Sequence, residues 1–533
     1  MSQSIKSKPP RQNRRDFFKT GGAIAIGALA GAPLLQAELK EKQKMTSNRP
    51  NLLFFFTDQQ SWDMIGVNGN KQVKTPYLDK FAETATNFNH CVSSCCVCTP
   101  ARGMIMSGQH PLHNGAFSND AQLIPSVDSM GSILHRENYQ TCYIGKWHLY
   151  GGPRPRPIPK GEHRHGFNTF LSNNATLDFR PGHAFYYTDE GDEIKFQEWE
   201  AYGQTNQAVD FINNCSKDKP FALYLSLHPP HDQGLERNGL RYNSIPDLMK
   251  RYDRDSIKKR RNIKIPDDPS GDGTKKYGGE EAFYEMIKDD YHGYYSMISG
   301  CDDCFGMVLD ALKRNGLDEN TIVVFTSDHG DQLHSHGRPW PKSFPEDPSV
   351  RVPLLIRNPG KTPENHTSNL LFGTLDFMPT LLSMMGIQIP DSCHGQDLSR
   401  AIYQKNDMAV SEVPLFYFIP GWRGIYTHRY TYAWDEFGGN EWQHWNVLYD
   451  REIDPYQTNN LFNKEEFKSI QAYLHSRATA WLDHFEDPFI PSYEMLKMLG
   501  EDSPFFSHPG KTGVFGGRPI DLIHDYINQH GIS

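Results

Sequence analysis

Four short apolar runs, each ending in polar side chains, constrain the fold of this chain more than any other feature. Leu52 to Phe56 ends at Thr57-Asp58-Gln59, and Gln140 to Ile144 ends at Gly145-Lys146-Trp147-His148. Phe221 to Leu227 ends at His228-Pro229-Pro230-His231, and Thr321 to Phe325 ends at Ser327-Asp328-His329. Runs this short and this apolar predict buried strands. Several strands that deliver functional groups from one edge predict an open parallel sheet, whose ligands bind beyond the carboxyl ends of its strands. Tyr291 to Arg314 carries Tyr295, Ile298, Met307, Val308 and Leu312 at helical spacing and predicts one of the crossovers. The fold class expected is α/β, a large mixed, mostly parallel sheet flanked by helices.

At 533 residues the chain exceeds the size at which one core stops growing, so a large domain and a smaller one are expected. After Leu370 to Gly386, expected as a helix, composition shifts toward aromatics and alternation. The domains are therefore placed at 48–389 and 390–533, the second an α+β unit. In it Arg423 to Trp434 and Glu441 to Tyr449 predict antiparallel strands, with a helix from Glu465 to His484 lying on them. Core packing is the favoured role for Trp422, Trp434, Trp442 and Trp445. A formal net charge of -9 argues against nucleic acid or an anionic membrane surface as a general partner, so positive charge must act locally.

Residues 1–40 read as a targeting segment, Arg14-Arg15-Asp16-Phe17-Phe18-Lys19 followed by a Gly/Ala-rich apolar run from Gly21 to Gln36. This resembles a signal for the twin-arginine export machinery. The run is short for a membrane span, and the expected mature protein is soluble, periplasmic or secreted, with no stable membrane span. Nine cysteines are too sparse for a disulfide scaffold. Cys301-Asp302-Asp303-Cys304 has redox or zinc spacing but is half a zinc site within an expected helix, so packing is the favoured reading. For Cys95 and Cys96, packing and a bridge stay open.

Cys98 stands apart. In Cys98-Thr99-Pro100-Ala101-Arg102, Thr99 is placed to cap a helix and Pro100 to be its first residue, which sets the thiol beside unpaired backbone N–H groups, a site that favours anions. Cys98, Pro100, Ala101, Arg102, Ser107 and Gly108 match the C-x-P-[SA]-R and [ST]-G signature of type I sulfatases, and the chain resembles that family. The resemblance implies an alkaline-phosphatase-like fold and oxidation of Cys98 to formylglycine by a formylglycine-generating maturation enzyme.

The same resemblance implies a divalent-metal site made of Asp58, Gln59, Cys98, Asp328 and His329. Gln59 stands where the family more often has a second Asp. Oxygen-rich ligation favours Ca2+, with Mg2+ or Mn2+ left open by His329. Lys146 and His148 match the family's G-K-W-H segment, His231 its P-H histidine, and Lys342 the lysine after the second metal pair. The implied chemistry is attack of the hydrated aldehyde on sulfur, with Arg102, Lys146 and Lys342 holding charge on the sulfuryl group. His231 would protonate the leaving alcohol, and His148 would assist collapse of the covalent sulfate intermediate. Asp376, Pro379, Thr380 and Leu381 match a D-x-x-P-T-L stretch, and Asp450 to Leu461 resembles a family turn. Gly151 to His165, with Arg154, Arg156, Lys160 and Arg164, is either a cationic rim or a solvated polyproline-like loop. Lys250 to Lys276 is expected as an exposed, charged insertion.

The function expected is an exported sulfatase acting on a sulfated carbohydrate. A phosphonate monoester or phosphodiester hydrolase of the same superfamily and a non-catalytic sulfated-glycan-binding protein are the alternatives.

Overall fold

All of β1 (Asn51–Thr57) is buried, because the strand meets a separate core on each face. Leu52, Phe54 and Phe56 enter one hydrophobic cluster while Leu53 and Phe55 enter the other, the alternation a pleated strand imposes. The computed structural model describes residues 49–533 other than 153, 234–239, 267–273, 339, 419–420, 437–444, 492–493, 495–517 and 531–533. The targeting segment and Trp442 lie outside the described residues.

The remaining strands, in chain order, are β2 (Thr86–Val92), β3 (Gln140–Gly145), β4 (Thr169–Leu171), β5 (Phe185–Tyr187), β6 (Glu193–Lys195), β7 (Phe221–Ser226) and β8 (Thr321–Ser327). They continue with β9 (Arg351–Val352), β10 (Leu354–Arg357) and β11 (His366–Gly373), then β12 (Glu412–Tyr417), β13 (Trp422–Thr427), β14 (Tyr430–Trp434) and β15 (Val447–Asp450). Among the described residues the large sheet runs β11-β2-β10-β8-β1-β7-β3-β4, with β9 paired to β2 and a separate β5-β6 hairpin. The four runs anticipated from the sequence are the adjacent parallel strands β8, β1, β7 and β3. β10 runs antiparallel to both β2 and β8, so the sheet is mixed but mostly parallel. Cross-strand partners stack where the register aligns them, Phe54 on Tyr224 at 4.9 Å and Phe55 on Phe325 at 5.6 Å between ring centroids.

The anticipated crossover is a helix of 35 residues, Glu280–Arg314, which lays Tyr291, Tyr294, Ile298 and Val308 on the second core. Gly293 admits the backbone of Tyr242, whose carbonyl oxygen would lie 2.1 Å from an added Cβ. Cys301 and Cys304 are buried free thiols on this helix, and Asp302 between them accepts the backbone N–H groups of Tyr77 and Leu78. Cys95 and Cys96 are likewise buried and free.

Leu370 to Gly386 is not one helix. Leu370, Leu371 and Phe372 belong to β11, which pairs in parallel with β2, and the α-helix is confined to Phe377–Met384. An apolar run of this kind carries no period that separates a buried strand from a buried helix, and pairing with β2 decides it. The small antiparallel sheet runs β12-β13-β14-β15. Ile425, Tyr432 and Leu448 on one of its faces meet Leu474, Ala478 and Leu482 of the helix Lys468–His484. Trp422, Tyr426, Ala433 and Val447 on the other join the first core of the large sheet. Trp422, Trp434 and Trp445 are buried, as packing requires. Among the described residues no helix is long and apolar enough to cross a membrane.

Candidate active site

The register brings the reactive ends of four strands to one edge. Thr57 pairs with Ser327, and Phe56 and Gly145 both pair with Ser226, so Asp58, Lys146 and Asp328 emerge side by side. Gly145 has φ of 116°, and a Cβ there would meet the Ser226 carbonyl oxygen at 1.9 Å, so only glycine fits where β3 turns into the site. Gln59 adopts a left-handed φ of 69°, a conformation costly for its residue type that aims Asp58 and Gln59 at the same edge.

The helix Cys98–Ser107 closes the site. It begins one residue before Thr99, with Val97 at its cap position and no side-chain cap, which corrects the expected Thr99 cap. Thr99 instead donates its hydroxyl to the His148 carbonyl at 2.9 Å, and its N–H is taken by Asn119 Oδ1 at 3.1 Å. Because Asn119 supplies the acceptor, no local cap is needed. Cys98 and Arg102 lie one turn apart and face the strand ends.

Cys98 Sγ lies 3.2 Å from His329 Nε2, 3.4 Å from Lys146 Nζ, 3.2 Å from Lys342 Nζ and 3.7 Å from Asp58 Oδ1. Burial opposes a thiolate here, but Lys146, Lys342 and His329 overcome it and hold the thiol well below its usual range. Burial and the Cys98 charge push Asp58 upward, yet Lys146, His231 and Arg102 outweigh them and keep it ionised. Lys146 also pairs directly with Asp58.

Arg102 is buried beneath this cluster. It donates to Asp328 at 2.9 Å, Asp58 at 3.3 Å, and the Lys146 carbonyl and Ser226 hydroxyl at 2.7 Å each, which locks both carboxylates in place. Lys342 reaches in from the opposite side, 2.8 Å from Gln59 Oε1 and 2.7 Å from His231 Nε2. Burial disfavours its charge, but Cys98 and Asp58 raise its pKa on balance. Gln59 Nε2 donates to Asp331 at 2.8 Å and to Asp232 at 3.3 Å, which turns its oxygen toward Lys342.

His148 sits in a left-handed turn with φ of 56°, its Nε2 lying 3.2 Å from Asp120, and Arg154 grips the same carboxylate with two donors. Burial, reinforced by Arg154, lowers the His148 pKa and favours neutral imidazole. Arg154 thus belongs to the site, whereas Arg164 is held by Asp189 and the Ile158 carbonyl. Lys160 pairs at the surface with Glu190.

Asp120, Asp232, Asp331 and Tyr242, whose hydroxyl donates to Asp331 at 2.6 Å, were absent from the sequence reading. Asp232 and Asp331 lie one and two residues past the singled-out His231 and His329 and were open to detection by extending those motifs. Asp120 lies in a loop with no motif and carried no signal. The cleft above Lys342 is a cavity of about 400 Å3 lined by Asn119, Asp232, Arg241 and Trp340, the last 53% exposed. A larger cavity of about 580 Å3 touches none of the singled-out catalytic or metal residues, so cavity size does not mark the chemistry here.

Donor atoms of Asp58, Cys98, Asp328 and His329 all lie within 4.8 Å of one another and are buried. Two carboxylates, an imidazole and residue 98 form a set suited to a hard divalent cation. The ammonium groups of Lys146 and Lys342 already rest against these acceptors, which shows that the pocket takes positive charge.

Comparison with known proteins places this site in context. A sequence model described as Sulfatase matches residues 50–387, and one described as N-sulphoglucosamine sulphohydrolase, C-terminal, matches 336–483. The chain is 32% identical over 482 residues to the ulvan-active sulfatase of Formosa agariphila, covering 87% of this chain and 88% of that one. It is 27% identical to the endo-4-O-sulfatase of Bacteroides thetaiotaomicron over 544 residues, covering 91% of this chain and all of the relative. The crystal structure of the protein yidJ from Bacteroides fragilis superimposes with a TM-score of 0.71 at 29% identity, covering 83% of this chain and 97% of that one. The chain therefore belongs to the sulfatase family of the alkaline-phosphatase-like superfamily and is a sulfuric ester hydrolase.

Proposed function

We propose that this protein is an exported sulfatase that removes sulfate esters from a carbohydrate, using formylglycine made from Cys98 by a maturation enzyme and one divalent metal, most suitably Ca2+. The observation that carries the reading is the convergence on Cys98 of two lysines, a histidine and two carboxylates at one sheet edge. The ulvan-active and endo-4-O-sulfatase relatives support a sulfated carbohydrate substrate. Export rests on Arg14, Arg15 and the apolar run after them, with the twin-arginine machinery as partner and the periplasm or exterior as destination.

Asp58, Asp328, His329 and residue 98 would hold the metal, with the Gln59 amide oxygen as a further ligand. When bound, the metal supplies Lewis acidity that lowers the pKa of a hydroxyl on residue 98 and polarises the ester. Lys146 and Lys342 flank residue 98 and neutralise the sulfuryl oxygens as charge develops. His231, on the cleft side and 2.7 Å from Lys342, donates the proton to the departing alcohol. His148, oriented by Asp120, accepts a proton from residue 98 when sulfate is released. Arg102 is a positioning residue that fixes Asp58 and Asp328.

The test is mass spectrometry of the peptide containing residue 98 from protein matured in a competent host, beside turnover of matched sulfate and phosphonate esters. An aldehyde with preference for sulfate is the expected result. Cysteine alone at position 98 in fully active protein overturns the mechanism, and preference for phosphonate overturns the substrate class.

A further inference from the structure

The cavity of about 580 Å3 lies on the far side of the loop after β1 from Cys98: Asp58 and Gln59 face the reaction site, while Trp62 and Asp63 line this second cavity. It shares no lining residue with the catalytic cleft. Six cationic side chains border it against two carboxylates, on a chain whose formal net charge is -9. Two of the six are neutralised. Arg260 forks onto Asp63 at 2.8 and 2.6 Å, and Arg351 pairs with Asp347 at 3.4 Å while covering the Trp62 ring.

The other four, Lys71, Lys258, Lys259 and Arg261, make no salt bridge to a carboxylate among the described residues, although Glu285 and Asp255 act on Lys259 from farther off. Three of them stand in the run Lys258 to Arg261, and this run is tied down. Gln72 clamps Lys258 by accepting its N–H at 2.8 Å and donating to its carbonyl at 3.3 Å, and the Tyr291 hydroxyl accepts the Arg260 N–H at 3.1 Å. The charged insertion expected from Lys250 to Lys276 is thus anchored over its central part. Unpaired cations held side by side repel one another, and an anionic ligand relieves that repulsion. Tyr456, 40% exposed and 5.6 Å below the Arg261 guanidinium, adds an aromatic face of the kind that packs against a sugar ring.

We infer that this cavity is a second, non-catalytic subsite for a sulfated polysaccharide, holding anionic sugar units of a chain whose scissile ester lies elsewhere. The inference rests on the sulfatase reading for its choice of ligand. Four cations outside any salt bridge, in a concave pocket with an aromatic wall, suit spaced sulfates on a saccharide better than the long continuous basic surface that a nucleic-acid duplex requires. Arg260 also donates to the Asp331 carbonyl at 2.8 Å, so the subsite abuts the residue that orients Gln59.

The experiment compares the mature enzyme with Lys71→Glu/Lys258→Glu/Lys259→Glu, and with the milder Lys258→Gln/Lys259→Gln. Dextran sulfate binding is measured by calorimetry, and turnover by 4-nitrophenyl sulfate. The expected result is a dissociation constant for dextran sulfate raised roughly tenfold in the triple variant and less in the double, with kcat/KM for the small ester unchanged. Three arginines at the same positions should restore binding. Unchanged dextran sulfate affinity overturns the inference, as does duplex DNA competing equally well per unit charge. Absence of sulfate ester turnover in the parent enzyme would instead count against the sulfatase reading, while the binding comparison stays readable.

Discussion

The molecule holds two clusters of positive charge built from the same residue types in opposite environments. Around Cys98, Arg102 and Lys146 are buried and paired with Asp58 or Asp328. Around the second cavity, Lys71 and Lys258 are exposed and unpaired. A buried charge stripped of its partner is costly because low-dielectric surroundings neither solvate nor screen it, whereas an exposed one is screened within about 10 Å at 0.1 M salt. Single substitutions should therefore be drastic in the first cluster and mild, salt-dependent and cumulative in the second.

Lys146→Ala gives the largest expected effect and the sharpest way to break this comparison. It removes the ammonium pressed against Asp58 and leaves that buried carboxylate to Arg102 at 3.3 Å and the His329 imidazole at 3.5 Å. Stability should fall by about 3 kcal/mol and kcat/KM on a small sulfate ester by at least about a thousandfold. Denaturant unfolding and steady-state kinetics measure the two losses. A variant as stable as the parent with turnover within tenfold would show that the first cluster behaves like an exposed one.

Asp120→Asn should act at intermediate strength, since Asp120 touches no reacting atom and works through His148. A drop in kcat of about 10- to 100-fold with KM little changed is expected. The sign of the pH effect follows from the neighbours. Burial and Arg154 lower the His148 pKa while Asp120 raises it, so neutralising Asp120 leaves Arg154 uncompensated and lowers that pKa further. The acidic limb of the kcat profile, where His148 must lose its proton to act as base, should shift to lower pH. A profile that keeps its shape and only loses amplitude would make Asp120 merely structural.

The two clusters also differ in how legible they were. The strand ends could be read because a buried parallel strand is an uninterrupted apolar run, and a register-matched sheet forces such runs to finish level; Asp58, Lys146 and Asp328 converge for that reason alone. Cys98 was visible through its motif, although the helix start was off by two residues because Asn119, distant from any cap signal, satisfies the Thr99 N–H. Leu370 to Gly373 was misread as helix because apolar runs lack a period. Asp120 and the pinned run Lys258 to Arg261 depend on contacts across more than 25 residues, from His148 and Arg154 in one case and Gln72 and Tyr291 in the other. No local pattern encodes such contacts.

Gln59→Asp carries the smallest expected effect and probes the boundary between the clusters, where Asp331 touches both Gln59 and Arg260. On charge alone a third carboxylate among the metal ligands strengthens divalent-cation binding. The surroundings oppose this, for the Gln59 amide is the donor between Asp331 and Asp232, and an aspartate there loses both hydrogen bonds and faces two carboxylates. The loss costs about 1.5–3 kcal/mol when no cation is present. Chelator-treated Gln59→Asp protein should therefore melt several degrees lower than the parent, with saturating Ca2+ recovering much of the difference and calcium affinity rising only a few-fold. Calorimetry and thermal unfolding with and without Ca2+ read both effects. If affinity stays unchanged while Asp58→Ala and Asp328→Ala abolish binding, Gln59 is no ligand and serves only to bridge Lys342 to Asp331.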